Sequence, residues 1–363
     1  MKRIGFKKKN LIAMALVTVL AVSGLGVHNS QAAERVDLTK DITITATVSS
    51  ESAYSIFASE YKGNVIIDLY KIASLDAAGT PTLTSEFANS GAKLSVLNGD
   101  KVVVDDVKKE IVEKVTKVVE DNKPTPTATI TATKGENGLT NASTIIKSTE
   151  ANPAAGIYLY VPRPTQDDYY DYNFTSYIIY APTSDYIMGT GTSDAWNYDT
   201  ISFALKAEAT ERYGALKIQK TLKSYNESLG EAAFAYDVEI TKKDGTTKFL
   251  SNAYSMNFEA PGTQEIFISE MIPAGSTVTV TEYYVGASYK LTSSSYSYEV
   301  AGALGENAKT VIKAQDTLIA SFTNEYNDEI DVGTISIENH FGEEGFIPEE
   351  ETPVEVIPEQ EMR

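Results

Sequence analysis

Three segments of the chain alternate polar and apolar residues as half-buried β-strands do, and each carries one polar residue on its apolar side. These segments are Gly214–Leu222, Thr277–Tyr283 and Leu318–Tyr326. Because the side chains of a strand alternate between two faces, Lys220, Glu282 and Asn324 each share a face with apolar residues of their own segment. One β-domain is therefore expected to direct a lysine, a glutamate and an asparagine into its interior, near its start, middle and end.

These three residue types, buried together, suggest covalent chemistry. Burying any one of them alone would be costly, and desolvation favours a neutral amine and a neutral carboxyl. A neutral amine is a nucleophile, and a protonated carboxyl stabilises charge that develops on an amide carbonyl. We predict that Lys220 attacks the side-chain amide of Asn324 with assistance from Glu282, expels ammonia and forms an isopeptide bond once. The alternative is a plain β-sandwich in which Lys220 reaches solvent and Asn324 caps a turn.

Composition excludes several other classes of protein. A net charge of −19 argues against a nucleic-acid partner, and the absence of cysteine means that an exported chain would need a stabiliser other than disulfides. The two histidines, His28 and His340, fall in a predicted signal and a predicted tail. With no thiol, no useful histidine and no phosphate loop, we expect no turnover enzyme, no cofactor and no metal site.

The first 33 residues have the features of a secretory signal. Lysines and an arginine cluster before an apolar run from Leu11 to Val22, and small residues at Ser30–Ala33 offer a cleavage site. The apolar run is short for a membrane span, and no later stretch is longer. The mature chain is expected to be exported, without a membrane span.

Residues 34–210 are predicted to form one mainly β domain. Alternating or dense apolar runs predict strands at Asp41–Val48, Asn64–Ala73, Thr127–Thr133, Gly156–Val161 and Thr175–Tyr180. Between them, apolar residues recur at helical spacing over Lys101–Asp121, which predicts an amphipathic helix that ends before Pro124. The acidic segment Gln166–Asn173 lacks the ordered carboxylate and glycine spacing of a calcium loop, so we expect an exposed polar loop there.

Residues 211–328 are predicted to form a second domain, a β-sandwich. Short strands separated by turns, such as Lys243–Gly245 and Ile272–Gly275, are typical of that architecture. One of these strands is expected to direct four alternating residues inward: Phe234, Tyr236, Val238 and Ile240. Tyr283 and Tyr284, next to Glu282, are expected either to shield that residue from water or simply to pack. The polar segment Glu208–Tyr213 is short, so the two domains should lie end to end.

The second domain resembles a known family at the three segments described above. The residues Leu216-x-Ile218-x-Lys220, Ile272–Glu282 and Phe322-Thr-Asn324-Glu-Tyr326 are similar to the isopeptide-linkage domains of Gram-positive pilins and adhesins, which are Cna-B-like and immunoglobulin-like. The resemblance implies a mainly β chain of two tandem immunoglobulin-like β-sandwich domains, the first with an inserted amphipathic helix.

The first domain resembles the N-terminal domain of Gram-positive backbone pilins at Leu69–Ile72, Gly156–Leu159 and Trp196–Phe203. That family ends this domain with Trp-x-x-x-Val-x-Val-Tyr-Pro-Lys, whose lysine a sortase joins to the next subunit. Here Lys206 stands one position later than the family lysine. A shift of one residue along a strand places the side chain on the opposite face of the sheet. Lys206 is the candidate acceptor, and a solvated lysine at a domain junction is the alternative.

Residues 329–363 form an acidic tail rich in proline and glutamate, expected to be an extended spacer. In the family such a spacer precedes a Leu-Pro-x-Thr-Gly sorting signal, an apolar span and a basic end, none of which occurs here. Either the chain is cut before its anchor, or the protein is released or held non-covalently. The sequence leaves both open.

Two functional hypotheses follow from the resemblance. In the first, the chain is a structural subunit of a Gram-positive pilus or fimbria on the cell surface or wall, joined to other pilin subunits by a sortase. In the second, it is an adhesin whose first domain binds a host protein or glycan through Tyr169–Tyr180, with the second domain as a stalk. A second isopeptide bond in the first domain, with Lys71 as a candidate, lacks a matching three-part pattern.

Overall fold

The protein is described by a computed structural model that covers residues 35–49, 51–97, 102–184, 196–284, 288–304 and 309–327. The predicted signal peptide (1–33) and the acidic tail (329–363) lie outside the described residues, as does Lys101 at the start of the predicted helix. No helix within those ranges has the length and apolar character needed to cross a membrane.

Strands make up most of the described chain, as expected for a mainly β fold. The strands are β1 (Ile42–Val48), β2 (Asn64–Leu75), β3 (Pro81–Leu83), β4 (Ala128–Gly135), β5 (Gly138–Thr140), β6 (Ser143–Ile146), β7 (Gly156–Pro162), β8 (Thr165–Gln166), β9 (Tyr170–Phe174), β10 (Tyr177–Ala181), β11 (Thr183–Ser184), β12 (Trp196–Asn197), β13 (Ile201–Leu205), β14 (Ala207–Glu211), β15 (Tyr213–Leu222), β16 (Ala232–Thr241), β17 (Lys248–Phe258), β18 (Gly262–Pro273), β19 (Thr277–Tyr284), β20 (Tyr289–Tyr298), β21 (Gly302–Ala303) and β22 (Thr317–Tyr326). Helical segments are α1 (Ser55–Glu60), α2 (Val104–Val107), a π-helical stretch Lys108–Val112 and α3 (Glu113–Asn122), with short 3-10 turns at Ser52–Tyr54, Leu94–Leu97 and Glu227–Leu229.

The first core is built around an antiparallel sheet in the order β10–β7–β2–β4–β5, with β3 added to β2. A second sheet, β13–β1–β6, pairs β1 with β13 in parallel, and β14–β9–β8 form a third. The inward residues of β1 are fully buried, and β2 is buried along most of its length, as its dense apolar sequence predicts. The buried cluster runs from Val36 to Ala207.

The predicted amphipathic helix is confirmed over Val104–Asn122. Val107, Ile111 and Val115 are fully buried in the first core, which explains their helical spacing. The middle of the helix is π-helical over Lys108–Val112, a detail that the spacing did not predict. The helix ends where Lys123 adopts a left-handed conformation (φ 47°) immediately before Pro124.

Several short elements that pack around the first core were not predicted, including helix α1 and the hairpin β8–β9. Helix α1 lies in a segment with no long apolar period. The hairpin β8–β9 occupies Gln166–Asn173, so the prediction of a simple loop is wrong for most of that segment. The carboxylate of Asp167 accepts hydrogen bonds from the backbone N–H groups of Tyr169 and Tyr170 and from the Tyr172 hydroxyl, and this closes the turn.

The second core lies between two sheets, as a sandwich requires. The larger sheet has the order β18–β15–β22–β20–β21 and the smaller one has the order β17–β16–β19. The predicted inward residues of β16 are completely buried: Phe234, Tyr236, Val238 and Ile240. The first and last long strands, β15 and β22, are parallel neighbours in the larger sheet. This adjacency brings the first and last long strands of the second core together, with the start of β15 and the end of β22 at opposite ends of the sheet.

Candidate functional site

Three strands of the second core supply the three predicted side chains. The parallel register of β15 and β22 sets Lys220 opposite Phe322, so Asn324 lies two residues further along the same face. Glu282 comes from β19 in the smaller sheet, where its strand partner is Tyr236 of β16. The Lys220–Glu282–Asn324 site is therefore assembled from both sheets of the sandwich.

The amine of Lys220 contacts both of the other groups. Its Nζ atom lies 2.6 Å from Oε2 of Glu282 and 2.5 Å from Oδ1 of Asn324. Lys220 and Asn324 have no exposed surface, and the Glu282 side chain is 3% exposed. Lys220 does not reach solvent and Asn324 does not cap an exposed turn, so the plain-sandwich alternative is wrong about where these side chains lie.

Burial controls the charge of Lys220. Desolvation lowers the pKa of its ammonium to about 8, and the adjacent Glu282 carboxylate opposes that shift without cancelling it. The Nζ atom also lies 3.8 Å from the ring centroid of Phe234, which covers one side of the amine. A lysine in this setting loses its proton more readily than a solvated one.

Aromatic side chains from β16 enclose the site, and the side chain of Tyr284 lies outside the described residues. Tyr236 is completely buried, its ring packs 5.4 Å from that of Phe322, and burial together with the Glu282 charge raises the pKa of its hydroxyl. Tyr283 is 56% exposed, so the prediction that it shields Glu282 is wrong. The alternation of β16 predicted that Phe234 and Tyr236 face inward, but only the register of β16 against β19 places them at this site.

The amide of Asn324 is only partly satisfied. Its carbonyl oxygen accepts from Lys220, whereas its Nδ2 atom is buried without a hydrogen-bond partner among the described residues. A buried, unsatisfied amide donor typically costs about 1–3 kcal/mol. The arrangement holds an amine against an amide carbonyl, with a carboxylate beside the amine and an amide nitrogen that is not held by any described group.

Lys206 lies between β13 and β14, and its side chain is 9% exposed. Its Nζ atom donates to Oε1 of Glu51 at 2.7 Å and lies 5.7 Å from the ring centroid of Tyr54. An enzyme that used this amine would first have to open the pair with Glu51. The predicted role of Lys206 as an acceptor stays a prediction.

Lys71 and Lys134 are buried lysines of the first domain. Lys71 donates to the carbonyl of Pro153, and desolvation lowers the pKa of its amine. Lys134, which the sequence did not single out, is 2% exposed and donates to the carbonyl of Gly135. Neither amine bonds to a carboxylate or a side-chain amide among the described residues, so neither is set up in the way that Lys220 is.

In the tyrosine-rich segment Tyr169–Tyr180, which the adhesin hypothesis assigns to host binding, several tyrosines contact other parts of the chain. Tyr172 and Tyr177 are buried, and the Tyr180 hydroxyl donates to the carbonyl of Gly79. The described residues contain no group of three or more histidine, aspartate or glutamate side chains placed to hold a metal ion.

Comparisons with known proteins give one domain-level match. Residues 216–327 match a family described as "Domain of unknown function (DUF5979)", a range that contains Lys220, Glu282 and Asn324 but less than half of the chain. No curated protein matches the sequence.

Several solved structures also align with the chain at low identity. The major pilin protein T-13 of Streptococcus pyogenes is 12% identical, with 82% of this chain and 100% of that chain covered and a TM-score of 0.26. A Mobiluncus mulieris adhesin with intramolecular disulfide, isopeptide and ester cross-links is 15% identical (74% and 86% covered, TM-score 0.25). A shaft pilin of Lactobacillus rhamnosus GG is 12% identical (80% and 100% covered, TM-score 0.24). At these TM-scores the likeness carries no weight in assigning a function.

Proposed function

We propose that this chain is a structural subunit of a Gram-positive surface pilus or fimbria, and that an isopeptide bond between Lys220 and Asn324 staples its second domain. The observation that carries the proposal is the burial of the Lys220 amine against both Asn324 and Glu282. A buried ion pair alone is a weak source of stability, since the cost of desolvation offsets most of its attraction. A covalent product gives a reason for burying these groups together.

The reaction begins with a proton transfer. The Lys220 ammonium gives a proton to the Glu282 carboxylate at 2.6 Å, and this leaves a neutral amine beside a neutral acid. The amine lone pair then attacks the side-chain carbonyl carbon of Asn324, while the acid of Glu282 donates a hydrogen bond to the carbonyl oxygen. Because the fold holds the amine and the amide side by side, the attack is a unimolecular step, and its entropic barrier is lower than that of a bimolecular encounter.

The second half of the reaction expels ammonia. The bond between the Asn324 carbonyl carbon and Nδ2 breaks, and the departing nitrogen takes a proton that passes from the Lys220 nitrogen through Glu282. One carbon–nitrogen bond forms and one breaks, the remaining proton leaves with ammonia as ammonium, and Glu282 returns to its starting form. No oxidant or cofactor takes part. Loss of ammonia also removes the unsatisfied Nδ2 donor from the core.

The pilus setting is supported by the residues rather than by the fold comparison. An export signal, a resemblance to backbone pilins and an acidic spacer are properties of the sequence. In this proposal the chain is a non-enzymatic protein of the bacterial exterior whose partners are other pilin subunits, joined through Lys206 by a sortase. The adhesin role has less support, because two tyrosines of the segment expected to bind a host molecule, Tyr172 and Tyr177, are buried.

The intact mass of the purified, folded chain tests the staple. We expect a deficit of one ammonia molecule relative to the mass of the processed sequence. Lys220→Ala and Glu282→Ala should each restore the full mass, because they remove the nucleophile and the proton carrier. Lys217→Ala is the matched control: this lysine lies on the other face of the same strand, paired with Glu265 at 3.2 Å, and its loss should leave the deficit intact.

A folded chain of full, unmodified mass would overturn the proposed bond. Peptide mapping then locates the loss of ammonia. A cross-linked pair of peptides that contain Lys220 and Asn324 is expected in the parent chain and in Lys217→Ala, but not in Lys220→Ala or Glu282→Ala.

A further inference from the structure

The junction between the two cores consists of a single residue. Strand β14 ends at Glu211 and strand β15 begins at Tyr213, so only Arg212 separates them. Its backbone N–H donates to the carbonyl of Tyr169 at 2.8 Å, and its carbonyl accepts from the N–H of Ala274 at 2.8 Å. The connecting residue is therefore bonded to the first domain on one side and to the second on the other.

The Arg212 side chain adds to these bonds. Its guanidinium donates to the carbonyl of Asp167 and lies 3.5 Å from the carboxylate of Asp171. The partners of Arg212 in the first domain are Asp167, Tyr169 and Asp171. All three belong to the β8–β9 hairpin, so this hairpin makes most of the contacts with Arg212.

A lysine from the second domain contacts the same hairpin. Lys243 lies in the turn between β16 and β17, and its Nζ atom is 2.6 Å from Oε2 of Glu60 at the end of α1. The Nζ atom also lies 4.2 Å from the ring centroid of Tyr169 and 5.7 Å from that of Tyr170. Among the described residues, this is the one ion pair that joins a residue before Arg212 to a residue after it.

The close approach continues at Gly275, in the turn between β18 and β19. Its φ of +84° suits glycine, and a Cβ atom added there would lie 2.7 Å from the Tyr169 ring. Tyr169 is thus packed between two turns of the second domain.

We propose that Lys243 is an interdomain lock: by bonding Glu60 and covering Tyr169 and Tyr170, it holds the two domains in one relative orientation. The bonds of Arg212 fix only the connecting residue, which lies at the pivot. The ion pair of Lys243 instead joins the end of α1 to the turn between β16 and β17, so it resists bending about Arg212. Without it, the single-residue junction acts as a hinge. This inference does not depend on the Lys220–Asn324 bond.

Distances between two spin labels test the lock in the full chain. Because the protein has no cysteine, Lys117→Cys and Lys290→Cys place one label on each domain at side chains that are 73% and 60% exposed. The parent pair should give one narrow distance distribution. Lys243→Ala and, separately, Glu60→Gln should lose that narrow distribution, because each removes one half of the contact.

Lys242→Ala is the matched control, since Lys242 is the neighbouring lysine of the same turn and makes no ion pair among the described residues. It should keep the narrow distribution. The proposal is overturned if the parent chain already shows a broad distribution, or if Lys243→Ala stays as narrow as Lys242→Ala. An unchanged circular dichroism spectrum in each variant shows that both domains are folded, so that broadening reports on the junction.

Discussion

At the scale of single residues, Lys220 shows how a fold changes the proton affinity of an ordinary side chain. Two influences on its proton oppose each other, since burial favours the neutral amine and Glu282 favours the ammonium. Burial prevails, and the pKa of Lys220 falls from 10.5 to about 8. The remaining partner, the Asn324 carbonyl, accepts a hydrogen bond from either form. Near neutral pH the site therefore keeps a larger fraction of neutral amine than an exposed lysine does, although most of the amine is still protonated.

This shift predicts a pH dependence in a chain that cannot form the bond. Asn324→Ala removes the amide and keeps Lys220 and Glu282. Between pH 8 and 10.5 the unfolded chain binds more protons at Lys220 than the folded chain, so stability should rise with pH across that window. At about 1.36 kcal/mol per pH unit, the free energy of unfolding gains at most about 3.4 kcal/mol across this window.

The reference for that measurement is Asn324→Ala combined with Lys220→Met, which lacks the titrating amine. Urea unfolding followed by circular dichroism gives the stability of both variants at each pH. Other lysines and tyrosines titrate equally in the two chains, so the difference isolates Lys220. A difference that stays flat from pH 8 to 10.5 would contradict the lowered pKa.

At the scale of elements, the sequence predicted which side chains of a strand face the core better than it predicted which residues pair between strands. The period of two along β15, β19 and β22 places Lys220, Glu282 and Asn324 inward, and all three are buried. The register of β16 against β19, which brings Phe234 and Tyr236 to the site, depends on pairing between distant segments and has no local signal. Lys134 shares the inward face of β4 with Ile130 and Ala132, but the predicted strand ended at Thr133, so the burial of this lysine was not foreseen.

Short elements were predicted least well. Helix α1 has six residues, too few to form without tertiary contacts, and the turn of β8–β9 is closed by side-chain hydrogen bonds of Asp167. By contrast, the long stripe of apolar residues over Val104–Asn122 predicted a helix correctly. The π-helical stretch Lys108–Val112 within it does not alter the burial of the stripe.

The antiparallel pairing of β2 and β7 gives an element-scale prediction at Gly156. A Cβ atom there would lie 2.5 Å from the carbonyl oxygen of Ala73 and 2.6 Å from Cε of Lys71. Because the backbone oxygen cannot move aside without breaking strand pairing, Gly156→Ala should destabilise the first domain by about 1–3 kcal/mol. Trp196, the single tryptophan of the chain, reports this in urea unfolding monitored by fluorescence.

Gly135→Ala is the control for that substitution. Gly135 lies at the end of β4 in the same domain, and a Cβ atom added there meets only the carbonyl oxygen of Gly138, at 3.9 Å. Its stability should change by about 0.5 kcal/mol or less. Equal midpoints for Gly156→Ala and the parent chain would show that β2 and β7 separate at little cost, contrary to the geometry.

At the scale of the whole molecule, the junction and the site lie on one continuous path. The chain passes from β14 through Arg212 directly into β15, which carries Lys220, and the described chain leaves the second domain just after β22, which carries Asn324. Because β15 and β22 are parallel neighbours, tension on the two ends of the domain pulls these strands in opposite directions along their length. A Lys220–Asn324 bond joins the two loaded strands directly and leaves the intervening strands outside the load.

Single-molecule pulling of the full chain from its two ends should therefore separate the stapled and unstapled forms. The first domain unfolds in both. In the parent chain the 104-residue separation between Lys220 and Asn324 cannot extend, whereas Lys220→Ala should release about 350 Å more contour length at the 3.3–3.6 Å that each extended residue spans. Lys217→Ala, which keeps the staple, should extend only as far as the parent. If the parent chain and Lys220→Ala release equal contour lengths, no Lys220–Asn324 bond joins β15 to β22, and the second domain resists tension through its strand pairing alone.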